Sequence, residues 1–298
     1  LIAVLVVAGG VFAGLWIREG RLRKNVSHAI EKANTLAKDD SWRGHVAARD
    51  VLAGVVKASN TASTRGKLLL ERATMAYEFG EDRAATLAAV AAPQDAGDAA
   101  TAAAGYIALL NADSEKARTL GKQLIKIKGF EALGHYIDGR GALLMGDHLA
   151  AGEALRLAVE REPRPLYQLA LAEAKIAGGA VNDADKLITA TPEGTVLRAM
   201  GDLRADRIGT HLGLAAQLDA ITITADKAAT DPARIASQLT IALALAVVAE
   251  TQARTGEMER AQSTFGRAVA IGVDDSRFAD QTARALIAMR RLDEARKA

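Results

Sequence analysis

The chain of 298 residues has no cysteine and five prolines, and only 4% of it is aromatic. Without cysteine there are no disulfides and no thiolate catalysis, although the compartment stays open because thiol-free chains suit reducing and oxidising spaces alike. So few aromatics argue against large aromatic cores and leave much of the packing to alanine, which loses no side-chain entropy in a helix and lets helices approach closely. The prolines Pro93, Pro163, Pro165, Pro192 and Pro232 fall between helical stretches, where a missing N–H does no harm. An excess of one charge is also lacking. With 38 basic and 36 acidic residues mixed along the chain, there is no electrostatic footprint for nucleic acid. The fold class expected is all-α.

What the chain does have is a recurring phrase: small residues in one helix, a Gly-acidic turn, then spaced alanines in the next. One copy runs Gly139, Ala142, Gly146-Asp147, Ala151, Leu155, Ala158 and Pro163; another runs Leu245, Ala249, Gly256-Glu257, Ala261, Phe265 and Ala268. Weaker copies carry Gly80-Glu81 after Ala73 and Ala76, Gly105 and Ala108 before Ala117 and Leu124, and Gly178-Gly179 before Ala184. Ala117 and Ala151 lie 34 residues apart, as do Ala261 and Ala295. One hairpin of this kind cannot bury its own apolar face, so neighbours must stack into a solenoid. The stretch from about 194 to 235 is irregular, and Ile221-Thr222-Ile223-Thr224 favours no strong helix. Upstream, Val26, Ile30, Ala33 and Leu36 or Ala37 share one helical face, and Ser41 can cap the helix that follows.

A 34-residue helix–turn–helix period with these small and bulky positions resembles the tetratricopeptide repeat family over most of residues 39–298. Many of the family's aromatic positions hold alanine, leucine or isoleucine here, and His135 and Leu245 occupy the early large position of their repeats. The resemblance implies a right-handed α-α superhelix of six to seven repeats, whose first helices line a concave groove that binds a protein or peptide. Carried over residue by residue, the groove comprises Tyr106, Tyr136, Arg140, Tyr167, Glu250, Arg254 and Arg284. Tyrosine and arginine suit binding hot spots. The tyrosines equally suit filling gaps between repeats, and both readings stand.

Residues 1–17, LIAVLVVAGGVFAGLWI, carry no charge and end at Trp16; Arg18, Arg21, Arg23 and Lys24 follow. This pattern reads as one transmembrane helix, continuing upstream of Leu1, with a basic juxtamembrane segment and helix over 18–38. The basic flank leans cytoplasmic, and a more basic upstream flank would reverse that, so the side of the soluble domain is undecided. Gly10 and Gly14 have the spacing that lets two such helices pack weakly as a homodimer. Composition rich in alanine, glycine, arginine and aspartate suggests a bacterial cell membrane.

No catalytic or cofactor signature accompanies this. His28, His45, His135, His148 and His211 show no paired-ligand spacing, which gives a metal site no support. Gly66-Lys67 and Gly121-Lys122 lack the rest of a phosphate-binding loop and read as helix-start and turn glycines. Asp39-Asp40 and Asp274-Asp275 read as caps in inter-helix turns. The expectation is therefore a non-enzymatic, membrane-tethered interaction scaffold. The alternative is the sensory or docking half of a larger signalling protein, such as a Ser/Thr kinase whose catalytic domain lies upstream.

Overall fold

The computed structural model describes residues 20–90, 97–227, 231 and 233–297. Among them every regular element is helical. The helices are α1 (20–36), α2 (Trp42–Ala58), α3 (Ala62–Phe79), α4 (Arg83–Val90), α5 (Asp98–Leu110), α6 (Ser114–Leu124), α7 (Glu131–Leu144), α8 (His148–Arg161), α9 (Pro165–Ala177), α10 (Val181–Ala184), α11 (Pro192–Arg204), α12 (Ile208–Leu212), α13 (Ala215–Thr222), α14 (Gln238–Arg254), α15 (Met258–Ala270), α16 (Ser276–Ala288) and α17 (Leu292–Ala295), with a short 3-10 turn at Ala37–Asp39. The expected anchor over 1–17, with Gly10, Gly14 and Trp16, lies outside the described residues. None of the described helices is long and apolar enough to cross a membrane.

One backbone device punctuates the chain. Ala112, Gly146, Gly179, Asp206, Gly256 and Arg290 all take positive φ, at intervals of 34, 33, 27, 50 and 34 residues. In each case the next residue's N–H bonds the carbonyl five positions before it: Asp113 to Ala108, Asp147 to Ala142, Ala180 to Lys175, Arg207 to Asp202, Glu257 to Gln252 and Arg291 to Leu286, at 2.7–3.0 Å. This is the Schellman closure, which satisfies carbonyls orphaned at a helix end. Where the next residue is aspartate, its carboxylate also starts the following helix: Asp113 accepts from Lys116 N–H and Asp147 from Ala150 N–H.

Packing follows the same register. Seven residues before each turn stands a small residue: Gly105, Gly139, Ala172, Ala199, Ala249 or Ala283. Five residues after it stand Ala117, Ala151, Ala184, His211, Ala261 and Ala295; the first five of these are buried. A Cβ on Gly139 would sit 2.6 Å from the Leu155 side chain, so α8 lies directly against α7 there. Gly121 is not the turn glycine expected. It lies inside α6, where an added Cβ would come within 2.8 Å of the Gly134 carbonyl, while one on Gly134 would come 2.5 Å from the Ile125 nitrogen. The two helices cross backbone to backbone at this glycine pair. Gly66 likewise lies within α3. Pro165 and Pro192 open α9 and α11 at the first helical position rather than separating helices, since the N–H they lack has no partner in that turn.

Two second helices break the pattern, one inside the stretch 194–235 and one before it. After the turns at Gly179 and Asp206 the second helices shrink to four residues in α10 and five in α12. Most other helices pack on the next in chain order, while α4 and α15 pack on the first helix of their own pair, and the first helices of successive pairs also touch. Those contacts run α3 to α5, α7, α9, α11 and α14, and α14 returns to α3. The six helices form a closed circuit. Where it closes, the end of α3 meets the start of α14: a Cβ on Gly80 would lie 3.2 Å from the Cβ of Leu239.

Candidate functional site

The seven residues expected to line a groove all lie on first helices: Tyr106 on α5, Tyr136 and Arg140 on α7, Tyr167 on α9, Glu250 and Arg254 on α14, and Arg284 on α16. Because the circuit closes, most of them face inward and are covered. Tyr106, Tyr136, Arg140, Tyr167 and Glu250 are all buried, while Arg254 and Arg284 remain partly open. The structure brings the tyrosines together and adds Tyr77 of α3, which the repeat register did not select. Ring centroids step from Tyr77 to Tyr106 at 5.9 Å, to Tyr136 at 6.1 Å and to Tyr167 at 4.9 Å, all tilted. Such offsets favour aromatic pairs. All the tyrosines of the chain thus form one ladder across four helices, so scarce aromatics still build a local aromatic core.

The ladder encloses charge. Arg140 stands over the Tyr77 and Tyr136 rings, 5.3 and 5.8 Å from their centroids. It pairs with Glu173 and comes within 4.0 Å of Glu78. The Tyr136 hydroxyl donates to Glu78. Arg277 of α16 lies 4.8 Å from the Tyr77 ring centroid, donates to the Tyr77 carbonyl, pairs with Asp275 at 2.8 Å and lies 3.8 Å from Glu78. Burial pushes the Glu78 carboxyl up, against the opposing pull of Arg140 and Arg277. Burial likewise raises the Tyr77 hydroxyl to about 12 and lifts those of Tyr106 and Tyr136 well above the usual tyrosine value.

A chamber of about 90 Å³ opens at the centre of the circuit. Glu78 and Phe79 wall it from α3, Tyr136 and Arg140 from α7, Leu169 and Glu173 from α9, Glu193, Val196 and Met200 from α11, Leu239 and Leu243 from α14, and Arg277 from α16. It is an apolar space with ionisable groups converging on it, which is the usual character of a small-molecule pocket. Periodicity could not reveal it, because the end of α3 meets Leu239 only when the circuit closes.

Two buried carboxylates tie distant elements together, Asp40 at α9 and Glu81 at the α3–α14 closure, and neither long-range role was recognised in the sequence. Asp40 does not cap its own helix, where Ser41 does that work by accepting from Gly44 N–H. Instead Asp40 caps α9, accepting from Leu166 N–H at 3.2 Å and pairing with Arg164, which stacks 5.3 Å from the Tyr167 ring centroid. Glu81 repeats the arrangement at α14: it accepts from Gln238 N–H at 3.2 Å and from Arg234 at 2.5 Å, and Arg234 stacks 4.5 Å from the Trp42 ring centroid. In both, a carboxylate answers the positive end of a distant helix. Asp275 does cap α16, as expected, accepting from Arg277 N–H.

Behind Asp40 sits His45, buried, with Nδ1 2.7 Å from Glu71 and Nε2 3.6 Å from Asp40. Burial alone would lower its pKa, but the two carboxylates outweigh burial and raise it to about 9. Burial pulls the other way on Asp40 too, and there His45, Arg164 and the Leu166 amide keep its pKa low.

The two open residues belong to a rim on α11, α14 and α16. Arg254 pairs with Glu250 at 2.5 Å and with Asp206 at 3.5 Å, and Arg284 shares Asp280 with Arg204 at 3.0 and 2.7 Å. No family model matches the chain, and neither a curated protein nor a solved structure matches it.

Proposed function

We propose that this chain is a non-enzymatic helical-repeat interaction scaffold of tetratricopeptide type, a right-handed solenoid tethered to a bacterial membrane through residues 1–17. The observation that carries the repeat reading is the Schellman turn recurring at Ala112, Gly146, Gly179, Asp206, Gly256 and Arg290, with a small residue seven before each and, except at His211, an alanine five after. Stacked repeats of this sort present extended surfaces rather than reaction centres. In this reading the buried tyrosines hold the first helices together. A partner protein or peptide meets the rim, where Arg254 and Arg284 offer charge that is neither fully buried nor fully committed. No cofactor or nucleic acid is required, and Gly10 and Gly14 would support a weak homodimer within the membrane.

The test places a photocrosslinking residue at position 254 or 284 of the full chain in cells, with position 149 as the control, since Leu149 is 89% exposed on α8 away from the rim. A discrete protein adduct from the rim positions, lost on charge reversal of the other rim arginine, is expected. Equal labelling from position 149, or adducts indifferent to charge reversal, would overturn the rim as the partner surface.

A further inference from the structure

We propose that the central chamber binds a small amphiphilic cation, a primary ammonium set against Glu193 with a short aliphatic tail on Leu169, Val196, Met200, Leu239 and Leu243. This goes beyond the scaffold reading and does not rest on it. The charge of the wall supplies the sign. Arg277 is held by Asp275 at 2.8 Å and lies 3.8 Å from Glu78, so Arg277 and Arg140 are shared among Asp275, Glu78 and Glu173. Arg140 pairs with Glu173 and approaches Glu78. Glu193 is left over. Its carboxylate accepts from the Thr240 hydroxyl at 3.3 Å and is also hydrogen-bonded by the Thr191 side chain and its own amide, but among the described residues no lysine or arginine reaches it within ion-pair distance.

A carboxylate in such a place is expensive to keep ionised without a counter-charge. Burial accordingly pushes the Glu193 carboxyl up. A cation entering the chamber would supply the missing charge, and the lining dictates the rest of the ligand. Beside Glu193 on α11 stand Val196 and Met200, one and two turns along, and across from them stand Leu239 and Leu243 of α14. The wall next to Glu193 is aliphatic, whereas the charges on α3, α7, α9 and α16 are already paired among themselves, so a compact chain with a single charged end matches the α11–α14 side. A volume of about 90 Å³ holds several waters and restricts the ligand to a few heavy atoms. An anion would have to face the surplus carboxylate.

Isothermal titration of the full chain with butylammonium chloride tests this, with butanol and butyrate as probes of equal size. Saturable binding of butylammonium at least tenfold tighter than either control is expected. Glu193→Gln, nearly isosteric, should weaken butylammonium at least tenfold and leave butanol unchanged. Leu243→Trp, which fills the chamber, should abolish binding of both. Equal affinities for the three probes, preference for butyrate, or no saturable heat from butylammonium would each overturn the proposal. The comparison among probes uses the unaltered chain, so it decides the matter even if a variant fails to fold.

Discussion

Residues 98–177 and residues 178–237 use the same turn and reach opposite outcomes. In the first stretch each turn leads into a full second helix, α6 or α8, and glycines let the helices cross at backbone distance, Gly121 on Gly134 and Gly139 against Leu155. In the second, the turns at Gly179 and Asp206 are made just as well, yet α10 and α12 stop within a turn or so. The turn is a local matter of one positive φ and two hydrogen bonds, whereas a second helix survives only where a neighbour covers it. The thin outer row coincides with the place where the inner helices converge and α14 returns to α3. One stretch is held by close apolar packing. The other delivers α14 to a position held by buried charge.

Breaking the second kind of support should have the largest effect. Glu81→Ala strands the Arg234 guanidinium, which is 2% exposed, and takes the acceptor from Gln238 N–H at the start of α14, leaving only the Ser237 cap there. A loss of about 3–5 kcal/mol is expected. Hydrogen exchange should localise it: α14 amides should lose protection while those of α7 keep theirs. Uniform loss across both would mean that the two stretches unfold as one unit and that the comparison is false.

The first kind of support breaks at Gly134. Gly134→Ala puts a Cβ 2.5 Å from the Ile125 nitrogen, so α6 and α7 must separate. Urea melts should show a loss of about 2–3 kcal/mol. Gly152→Ala in α8 is the matched control, because nothing lies within 4 Å of its Cβ, and it should gain up to about 1 kcal/mol from helix propensity.

This pair of glycines also shows what the sequence made legible. The all-helical class, the regular pairs and small residues such as Gly139, Ala151 and Ala261 follow from spacing alone, because they depend on contacts between elements close in the chain. Gly121 was misread as a turn because a glycine in a helix and a glycine after one look alike until the neighbouring helix is placed. The rim and the tyrosine ladder were legible in part, since period selected the first helices but not Tyr77. Asp40, Glu81 and Glu193 carried no readable signal. Their partners lie 126, 157 and 47 residues away, and nothing local distinguishes a carboxylate that caps a distant helix from one that caps its own.

His45 probes the clasp at Asp40 through pH. Its folded pKa of about 9 lies above the usual value of 6.5. The stability it contributes is therefore complete below about pH 6.5 and declines as pH rises through about 9. A loss of about 1–3 kcal/mol over that window is expected in urea melts of the full chain. His45→Gln should be less stable at pH 6 and show a flatter profile. An unchanged slope in that variant would move the titrating group elsewhere.

The smallest effects test the turn that both stretches share. Ala112 and Arg290 adopt φ of 53° and 62° where Gly146, Gly179 and Gly256 adopt 74°, 83° and 89°. The left-handed conformation costs an ordinary L-residue about 1–2 kcal/mol and glycine almost nothing. Ala112→Gly should therefore raise stability by up to about 1 kcal/mol, after allowance for the greater freedom of glycine in the unfolded chain. Gly146→Ala should lower it by about 1 kcal/mol, because an added Cβ at Gly146 meets nothing within 4 Å and only backbone strain is left to act. Arg290→Gly should gain less than Ala112→Gly, since α17 is four residues long with no buried residue and an end so lightly packed frays before the array unfolds. Opposite signs at positions 112 and 146, read as shifts in melting temperature, would establish the two turns as one device. Shifts of the same sign would mean that Ala112 is held by packing on its own side chain and that the shared register is coincidental.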